Sequence, residues 1–532
     1  MDLQEFLHNL HFDVDKVRPP DWHVDWADAP LPYKLYRGLP AFPLSAEVPL
    51  TLAPDAPVAV PGAEADLGRI GHFLWYMYGL SQFSHSALAL SAEGSDALPV
   101  YTPRRFVPSG GALYPSELYT YLKIRGLPQG VYHYDAAHHR LVLLREGDFD
   151  SYLERALGRG CDLSACLGAL LVSTMYWKNF YKYSNFAARL QGLDAGVLLG
   201  QALSVAERFG FTCAVHYQFL DLAVNHLLGL DWREETVFAV VPLSQQPVDV
   251  WFTSDRKRRE SVTASDLCDS LPPLPHRHFV RSRTVKDCPT LVELNQAAAW
   301  DAVAWTRWVR EKEGKELVPS VAATFSLPAT GAPVHDLAAA CRARHSPGTD
   351  FILGRVDAAQ LAALLHETMA TSGYANDLDG VQGQLASRLS LCCCLYGVDG
   401  IPDGAYVYEP AHHELLCMSR GDHRHRLQQA MTLPTVNLFQ VPVCLHVAGH
   451  RHHLRPFGAR GYRIQQMEAG MLVQRLLLAA CSLGMGGHPL LGFEAIPCDQ
   501  LYCLPEQGKT SLIQVPIGPY RPHPRLQAGL HT

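Results

Sequence analysis

The sequence predicts an α+β fold built twice, as two tandem α/β sandwich domains that form an intramolecular pseudo-dimer. Three observations predict it. The chain has 532 residues, too many for one ordinary domain. One internal offset relates its two halves. Within each half, short apolar strands alternate with helical stretches. The balance of 48% hydrophobic and 18% charged residues allows a large core and excludes a disordered chain.

The offset is carried first by a hairpin. "GVYHYDAAHHRLVLLREGD" begins at Gly130 and "GAYVYEPAHHELLCMSRGD" at Gly404, 274 residues later. Each reads as two β-strands around a short polar loop ending in His-His. Without a gap, Pro128 then matches Pro402, Arg189 matches Arg463, Ala195 matches Ala469 and Gly196 matches Gly470. Gly210 matches Gly484 and Phe219 matches Phe493. An offset held over that span predicts two copies of one fold meeting at an isologous-type interface.

The segment from Arg189 to Gly210 predicts a buried helix, as does its twin from Arg463 to Gly484. Ala195, Gly196 and Gly200 are small enough for close packing, and Gly210 suits a left-handed stop. Apolar strands precede them, at Ala169–Met175 and Val443–Val447. The first domain is expected over 65–250 and the second over 335–520. Residues 1–64 are proline-rich and predict an extended, wrapping segment. Residues 251–334 form a linker with "SLPPLPHRHF" and an amphipathic helix, "LVELNQAAAWDAVAWTRWVREKEG". Residues 521–532 are a tail.

Net charge is −7 with no basic stripe, which argues against nucleic acid as a partner. The basic run Arg256–Arg259 reads as a solvated linker. The 14 cysteines are scattered without a C-x-x-C pair, so no zinc knuckle is signalled, and no metal is expected. Cys392, Cys393 and Cys394 read as small core residues, and the thiols suggest a reducing compartment. The histidine clusters at His276/His278, His423/His425 and His450/His452/His453 read as polar edges. "MDLQEFLHNL" lacks the features of a signal peptide, and no apolar run is long enough to span a membrane. A cytoplasmic protein is expected.

One stretch combines groups that an anion site would use. "RRFVPSGGALYPSELY", residues 104–119, leads two arginines into a Pro-Ser-Gly-Gly turn and then an apolar strand. Glu117 on that strand needs a partner if buried. At the same offset, Pro108 maps to Gln382, Ser109 to Gly383, Tyr114 to Arg388 and Glu117 to Leu391, so the second copy lacks the motif.

This stretch, the hairpin, "KYSNFAARLQGLDAG" and "PLPYKLYRGLPAFPLS" together resemble the SagB/ThcOx-type flavin dehydrogenases of the nitroreductase superfamily. The resemblance runs from about residue 30 to 245 and, more weakly, from 340 to 517. It implies two nitroreductase-like domains, FMN at the interface between them, and oxidation of thiazolines and oxazolines to thiazoles and oxazoles in modified peptides. Reduced flavin would be reoxidised by oxygen. Arg104 and Arg105 would meet an anion by charge-assisted hydrogen bonds. The Ser109 hydroxyl would reach the ring or ribityl oxygens, Gly110 and Gly111 would admit the flat ring, and Pro108 would stiffen the turn.

In the second copy, "RARHSPGTDF" resembles the Arg-x-Ser segment of ordinary nitroreductases, making Arg342, Arg344 and Ser346 candidates for the phosphate and ribityl groups. Gly486 and Gly487 of "GMGGHPLLGF", and Arg460 and Arg463 of an Arg-Gly-Tyr-Arg pattern, join them. Lys182 and Tyr183 match a Lys-Tyr pair to which family members owe proton chemistry; the second copy has Pro456 and Phe457 there. Lys178 is a reserve candidate. The expectation is one FMN site per chain, its turn and proton-handling pair from the first copy and the rest from the second. The partners implied are a peptide substrate and a cyclodehydratase or synthetase. An NAD(P)H-dependent nitro or quinone reductase and a non-catalytic scaffold are the competing readings.

Overall fold

The computed structural model describes residues 2–53, 64–89, 97–252, 262–302, 323–331, 336–369, 373–384, 388–452, 455–522 and 526–529. The first-half strands are β1 (Ala41–Pro43), β2 (Leu80–Ala89), β3 (Ala97–Arg105), β4 (Ser116–Leu122), β5 (Gly130–Asp135), β6 (Arg140–Glu146), β7 (Gly168–Met175), β8 (Thr212–Val215) and β9 (Glu235–Ser244). The second half supplies β10 (Ala323–Ser326), β11 (Gly373–Asn376), β12 (Gly380–Gln384), β13 (Leu389–Leu395), β14 (Gly404–Glu409), β15 (Glu414–Arg420), β16 (Val443–His450), β17 (Gly486–Gly487), β18 (Lys509–Gly518) and β19 (Leu526–Gly529).

The first sheet runs β1-β6-β5-β4-β7-β9-β8, and the second runs β10-β15-β14-β13-β16-β18-β17. The two orders correspond strand for strand, so the repeat read from the sequence is a repeat of topology. It extends to fine structure. The β5–β6 register shifts between Val131 and Tyr132, and the β14–β15 register shifts between Ala405 and Tyr406. The second histidine of each His-His doublet takes a positive φ, 47° at His139 and 55° at His413. Its Nδ1 meets a strand tyrosine, Tyr134 or Tyr408, at 2.9 and 2.8 Å.

Each sheet packs against a long helix, Ala187–Arg208 or Ala459–Ser482, and these two helices form the centre of the molecule. Glycines set their separation. A Cβ on Gly196 would lie 2.1 Å from the Met467 carbonyl oxygen, and one on Gly470 would lie 2.3 Å from that of Leu193. Any larger residue would push the backbones apart, so the small residues expected to permit close packing lie at the contact itself. Arg189 crosses to the Leu512 carbonyl of β18, while Arg463 lies over Phe238 of β9 at 4.8 Å. Burial of Cys392, Cys393 and Cys394 agrees with their reading as core residues.

Three features depart from the sequence reading. The N-terminal segment begins with a helix, Leu3–Phe12, capped by the Asp2 side chain, before the chain becomes extended. The middle helix spans only Pro289–Ala298; the rest of its expected length from residue 303, like the Arg256–Arg259 run, lies outside the described residues. The first sheet also acquires β11 and β12 from the second copy, through parallel pairing of β11 with β8.

Candidate functional site

A cavity of about 520 Å³ opens between the two halves, within the size range of cofactor sites. The first half lines it with Ser84, Thr102, Arg104, Pro108, Ser109, Gly111, Ala112 and Tyr114; the second lines it with Arg344 to Asp350, Thr435 and His488. Two segments that the sequence separates by more than 200 residues therefore face one space.

The Pro-Ser-Gly-Gly turn forms its most contorted wall. Gly111, Ala112 and Tyr114 have φ values of +65°, +56° and +48°. Only glycine takes such values without strain, and strained backbone persists where its surroundings over-determine it. Tyr114 is held at three points. Its N–H donates to Ser109 Oγ at 2.9 Å, its carbonyl accepts from Lys178 Nζ at 3.1 Å, and its hydroxyl accepts from the Arg105 N–H at 3.2 Å. Ser109 Oγ donates to Asp194 Oδ2 at 2.7 Å, and the Gly110 N–H points to Asp194 Oδ1 at 3.3 Å. The hydroxyl expected to face a ligand is thus committed to Asp194. Burial pushes Asp194 up to about 7, although both hydrogen bonds favour its ionised form.

Glu117 is buried and pairs with Lys178 and with His133, whose Nε2 lies 2.8 Å away. Burial alone would raise the Glu117 pKa, but the Lys178 ammonium and His133 draw it well below the usual carboxylate range. Glu117 is therefore the centre of a structural ion pair, and Lys178, the reserve candidate for proton chemistry, is spent on it. A second buried group adjoins, with Lys34 Nζ 2.7 Å from Glu235 Oε2 and Tyr119 and Ser173 donating to Glu235 Oε1.

Lys182 and Tyr183 end the helix Trp177–Tyr183 and reach the same turn. A Cβ on Gly111 would lie 2.7 Å from Tyr183 Oη and 2.9 Å from Lys182 Nζ, so both polar ends converge where glycine leaves room. Burial lowers the Lys182 pKa, with no carboxylate opposing it, and raises that of Tyr183. Desolvation thus works against the charged form of each group. The next residue, Ser184, is buried at φ +46° and ψ −135°; its counterpart Gly458 has φ +56° and ψ −136°.

On the opposite wall, Arg344 donates to the Phe106 and Arg105 carbonyls, while its buried Nη1 has no partner. An unpartnered buried guanidinium N–H at a cavity wall is a vacancy for an anionic oxygen. Ser346 lines the same wall, and His488 Nδ1 accepts the Gly348 N–H at 2.9 Å. With the space over Gly111, these groups are of the kind that would hold a flat, anionic cofactor such as FMN.

Other expected residues lie elsewhere. Arg105 turns into the core, where it donates to the Pro32 and Tyr78 carbonyls and stacks on Tyr78. Arg342 donates outward to the Leu50 carbonyl at 2.7 Å. Arg460 and Arg463 are buried on Asp221 and clamp the halves together. Gly486 and Gly487 support the wall; a Cβ on Gly486 would meet Pro347 at 2.6 Å. The equation of Ser109 with Gly383 also fails. Gly383 is in β12, opposite Tyr374, and the chain from β12 to β13 crosses only 385–388 where β3 to β4 crosses 106–115. The second copy lacks most of the turn, not merely its side chains. Asp194, His345, Thr435 and His488 were missed. Asp194 carried one signal, the acid Glu468 at the common offset, which here pairs with Arg388.

At the equivalent place across the pseudo-dimer, the described residues pack a hairpin of the chain itself. β8 corresponds to β17, and the β11–β12 hairpin corresponds in chain order to β2–β3. The cavity lies between β2–β3 and the end of β17. On the other side β11 pairs directly with β8, Ala375 opposite Ala214 and Asn376 opposite Val215. Asp377 then takes the N–H groups of Tyr217 and Gln218 at 3.0 and 2.8 Å, so the chain's own carboxylate occupies the donors there.

The protein has the nitroreductase fold. A crystal structure of a protein described as a nitroreductase, from Anabaena variabilis, overlays with a TM-score of 0.72 at 22% identity, covering 97% of this chain and 99% of that one. Residues 401–518 match the model of the nitroreductase family. Over 90 residues the chain is 32% identical to a protein named as a nitroreductase from Methanocaldococcus jannaschii, 17% of this chain and 45% of that protein. The chain thus spans about half the length of the curated relative it matches. The E. coli microcin synthetase complex McbBCD with truncated pro-MccB17 aligns over 35% of this chain at a TM-score of 0.27, a likeness that carries no argument. Among the described residues, no helix is long and apolar enough to cross a membrane.

Proposed function

We propose that this protein is an FMN-dependent dehydrogenase with one flavin site per chain, oxidising thiazoline or oxazoline rings in a peptide to thiazoles or oxazoles. The observation that carries the proposal is the cavity shared by the two halves, with the Lys182–Tyr183 pair converging on its glycine turn and an unsatisfied Arg344 N–H on its far wall. Aromatising the ring removes one C–H as hydride and a second hydrogen as a proton, and leaves a new ring double bond. FMN bound in the cavity supplies the hydride acceptor, with dioxygen as the final oxidant. Lys182, desolvated and without a carboxylate, is the group placed to take the proton. Tyr183, kept protonated by burial, supplies a hydroxyl donor beside it. Arg344, Arg104 and Ser346 hold the phosphate and ribityl end, and Asp194 and Lys178 hold the turn.

The test is flavin quantitation on reconstituted protein together with mass spectrometry of a cyclised peptide. One FMN per chain and the loss of two hydrogens from the peptide are expected. Two tightly held FMN per chain would overturn the single site. Rapid bleaching of the flavin by NADPH, without peptide oxidation, would favour a nitroreductase, and protein that binds no flavin would favour a scaffold.

A further inference from the structure

Beside the Lys182–Tyr183 pair stands an exposed tryptophan, edge-on to Tyr181 with ring centres 6.3 Å apart. Trp26 is 62% exposed, and its ring centre lies 5.3 Å from Lys182 Nζ. Single exposed apolar residues are ordinary. This one is held by a built mount. Asp25 caps its short turn, accepting from the Ala27 and Asp28 N–H groups. The Asp28 carboxylate accepts the N–H groups of Arg283 and Thr284 at 2.7 and 2.9 Å. Ser282 Oγ donates to the Asp28 carbonyl, while accepting from Trp177 Nε1 on the helix that carries Lys182. Trp22 also anchors to this helix, donating to the Tyr181 carbonyl at 3.2 Å. The mount fixes the backbone and leaves the indole face to solvent and to the amine.

The second half shows what a purely structural tryptophan looks like here. Phe457 stands where Tyr183 stands, and Trp300 lies against it with ring planes 10° apart. Arg460 covers Trp300 at 4.7 Å. Trp300 is half-buried between Phe457 and Arg460, whereas Trp26, touching Tyr181 edge-on, stays 62% exposed beside Lys182.

We propose that Trp26 is a substrate platform: the peptide carrying the reacting ring lies across its indole, so that planar or aromatic residues flanking that ring stack there while the ring meets Lys182 and Tyr183. This rests on the azoline-oxidising reading. The physical grounds are continuity with the proton-handling pair and the tolerance of aromatic stacking for any flat group. A tryptophan holds such a group through two rotatable bonds only, so little entropy is lost on binding.

The experiment uses full-length, flavin-loaded protein, Trp26→Ala and Trp26→Phe. Binding of a fluorescently labelled peptide containing one thiazole is read by anisotropy, and turnover is followed on the matching thiazoline peptide and on a single-ring thiazoline amide without flanking residues. Trp26→Ala is expected to weaken peptide binding and raise its KM about tenfold, to leave kcat within about threefold, and to leave the single-ring compound unaffected; Trp26→Phe restores most of the affinity. Equal peptide affinity in Trp26→Ala and wild type overturns the platform. So does loss of flavin or of thermal stability in Trp26→Ala, which would mark a structural residue, or a change confined to oligomeric state, which would mark a subunit contact. Wild type that binds the peptide through Trp26 but never oxidises it supports the platform and defeats the azoline reading instead.

Discussion

The two halves share one topology and differ in what lies beneath it. Under the turn of the first half sits a buried ionic network: Glu117 with Lys178 and His133, and Lys34 with Glu235, Tyr119 and Ser173. At the common offset, the second half puts Leu391 for Glu117, Val407 for His133, Cys393 for Tyr119 and Val447 for Ser173. All four are buried or nearly so in the same strand positions. The sheet therefore forms without the charges. Buried ion pairs are weak evidence of stability, since apolar residues of similar volume often serve as well. The first half keeps them where they hold a strained turn: Lys178 reaches the Tyr114 carbonyl, and Tyr114 is left-handed. The second half has neither the turn nor the network, and a hairpin closes its side. Loss of a site and simplification of the core beneath it go together.

Substitutions that make the first half resemble the second are the way to break this comparison. The largest effect is expected from Lys182→Ala, about 10²- to 10⁴-fold in turnover, with Tyr183→Phe somewhat less and flavin content unchanged in both. Full turnover by Lys182→Ala would remove it from the proton-transfer step. Arg344→Met should come next, lowering flavin affinity by 30-fold or more, roughly the 2–5 kcal/mol that truncating one member of a buried charged pair costs. Equilibrium dialysis with FMN measures it, and unchanged affinity would refute the orientation of the cofactor.

Glu117→Leu alone should cost about 3–5 kcal/mol because it strands the Lys178 charge, whereas Glu117→Leu with Lys178→Met should recover most of that while still loosening flavin. Denaturant melts of the single and double variants decide it; equal losses would mean that the pair is needed for folding.

Asp194 gives a smaller, pH-dependent difference. Its folded pKa, about 7, is raised above the ordinary aspartate value, so the folded state binds more protons than the unfolded one between about pH 4 and 7. Its contribution to stability therefore falls as pH rises through that window. Asp194→Asn should be more stable than wild type at pH 8 by on the order of a few kcal/mol, and the gain should vanish near pH 4. A gain that is the same at both pH values would refute the raised carboxyl. The smallest change is Ser184→Gly, which copies Gly458 and should add about 1 kcal/mol by relieving a positive φ. Destabilisation would show that the Ser184 side chain repays its strain.

Much of the fold was legible before any coordinates. A 274-residue offset means that the matched elements between β4 and β9 are spaced equally along the chain in both halves, with no net insertion or loss. Upstream the same arithmetic misled, because the loop before β13 is shorter than the one before β4, and a constant offset cannot see a deletion. Of the site, the residues whose geometry is local were legible: Pro108 to Gly111, which make a turn, and Lys182 with Tyr183, adjacent on one helix end. The arginines were not. A guanidinium on a flexible stem suits an anion, a carbonyl or an aspartate equally, and which one it meets depends on what the other half places in reach.

The sequence by itself determined that one fold occurs twice, that its long helices carry small residues suited to close packing, and that the Pro-Ser-Gly-Gly turn and the Lys182–Tyr183 pair occur once. Those facts are carried by periodicity, small residues and nearest neighbours along the chain. Only the tertiary structure decided that Arg344, not Arg105, Arg342, Arg460 or Arg463, presents an unmet N–H to the cavity, that Asp194 takes the Ser109 hydroxyl, and that β11 seals the opposite side. Each of these depends on contacts between residues far apart in sequence, and burial, which sets both pKa and hydrogen-bond demand, exists only once the chain has folded.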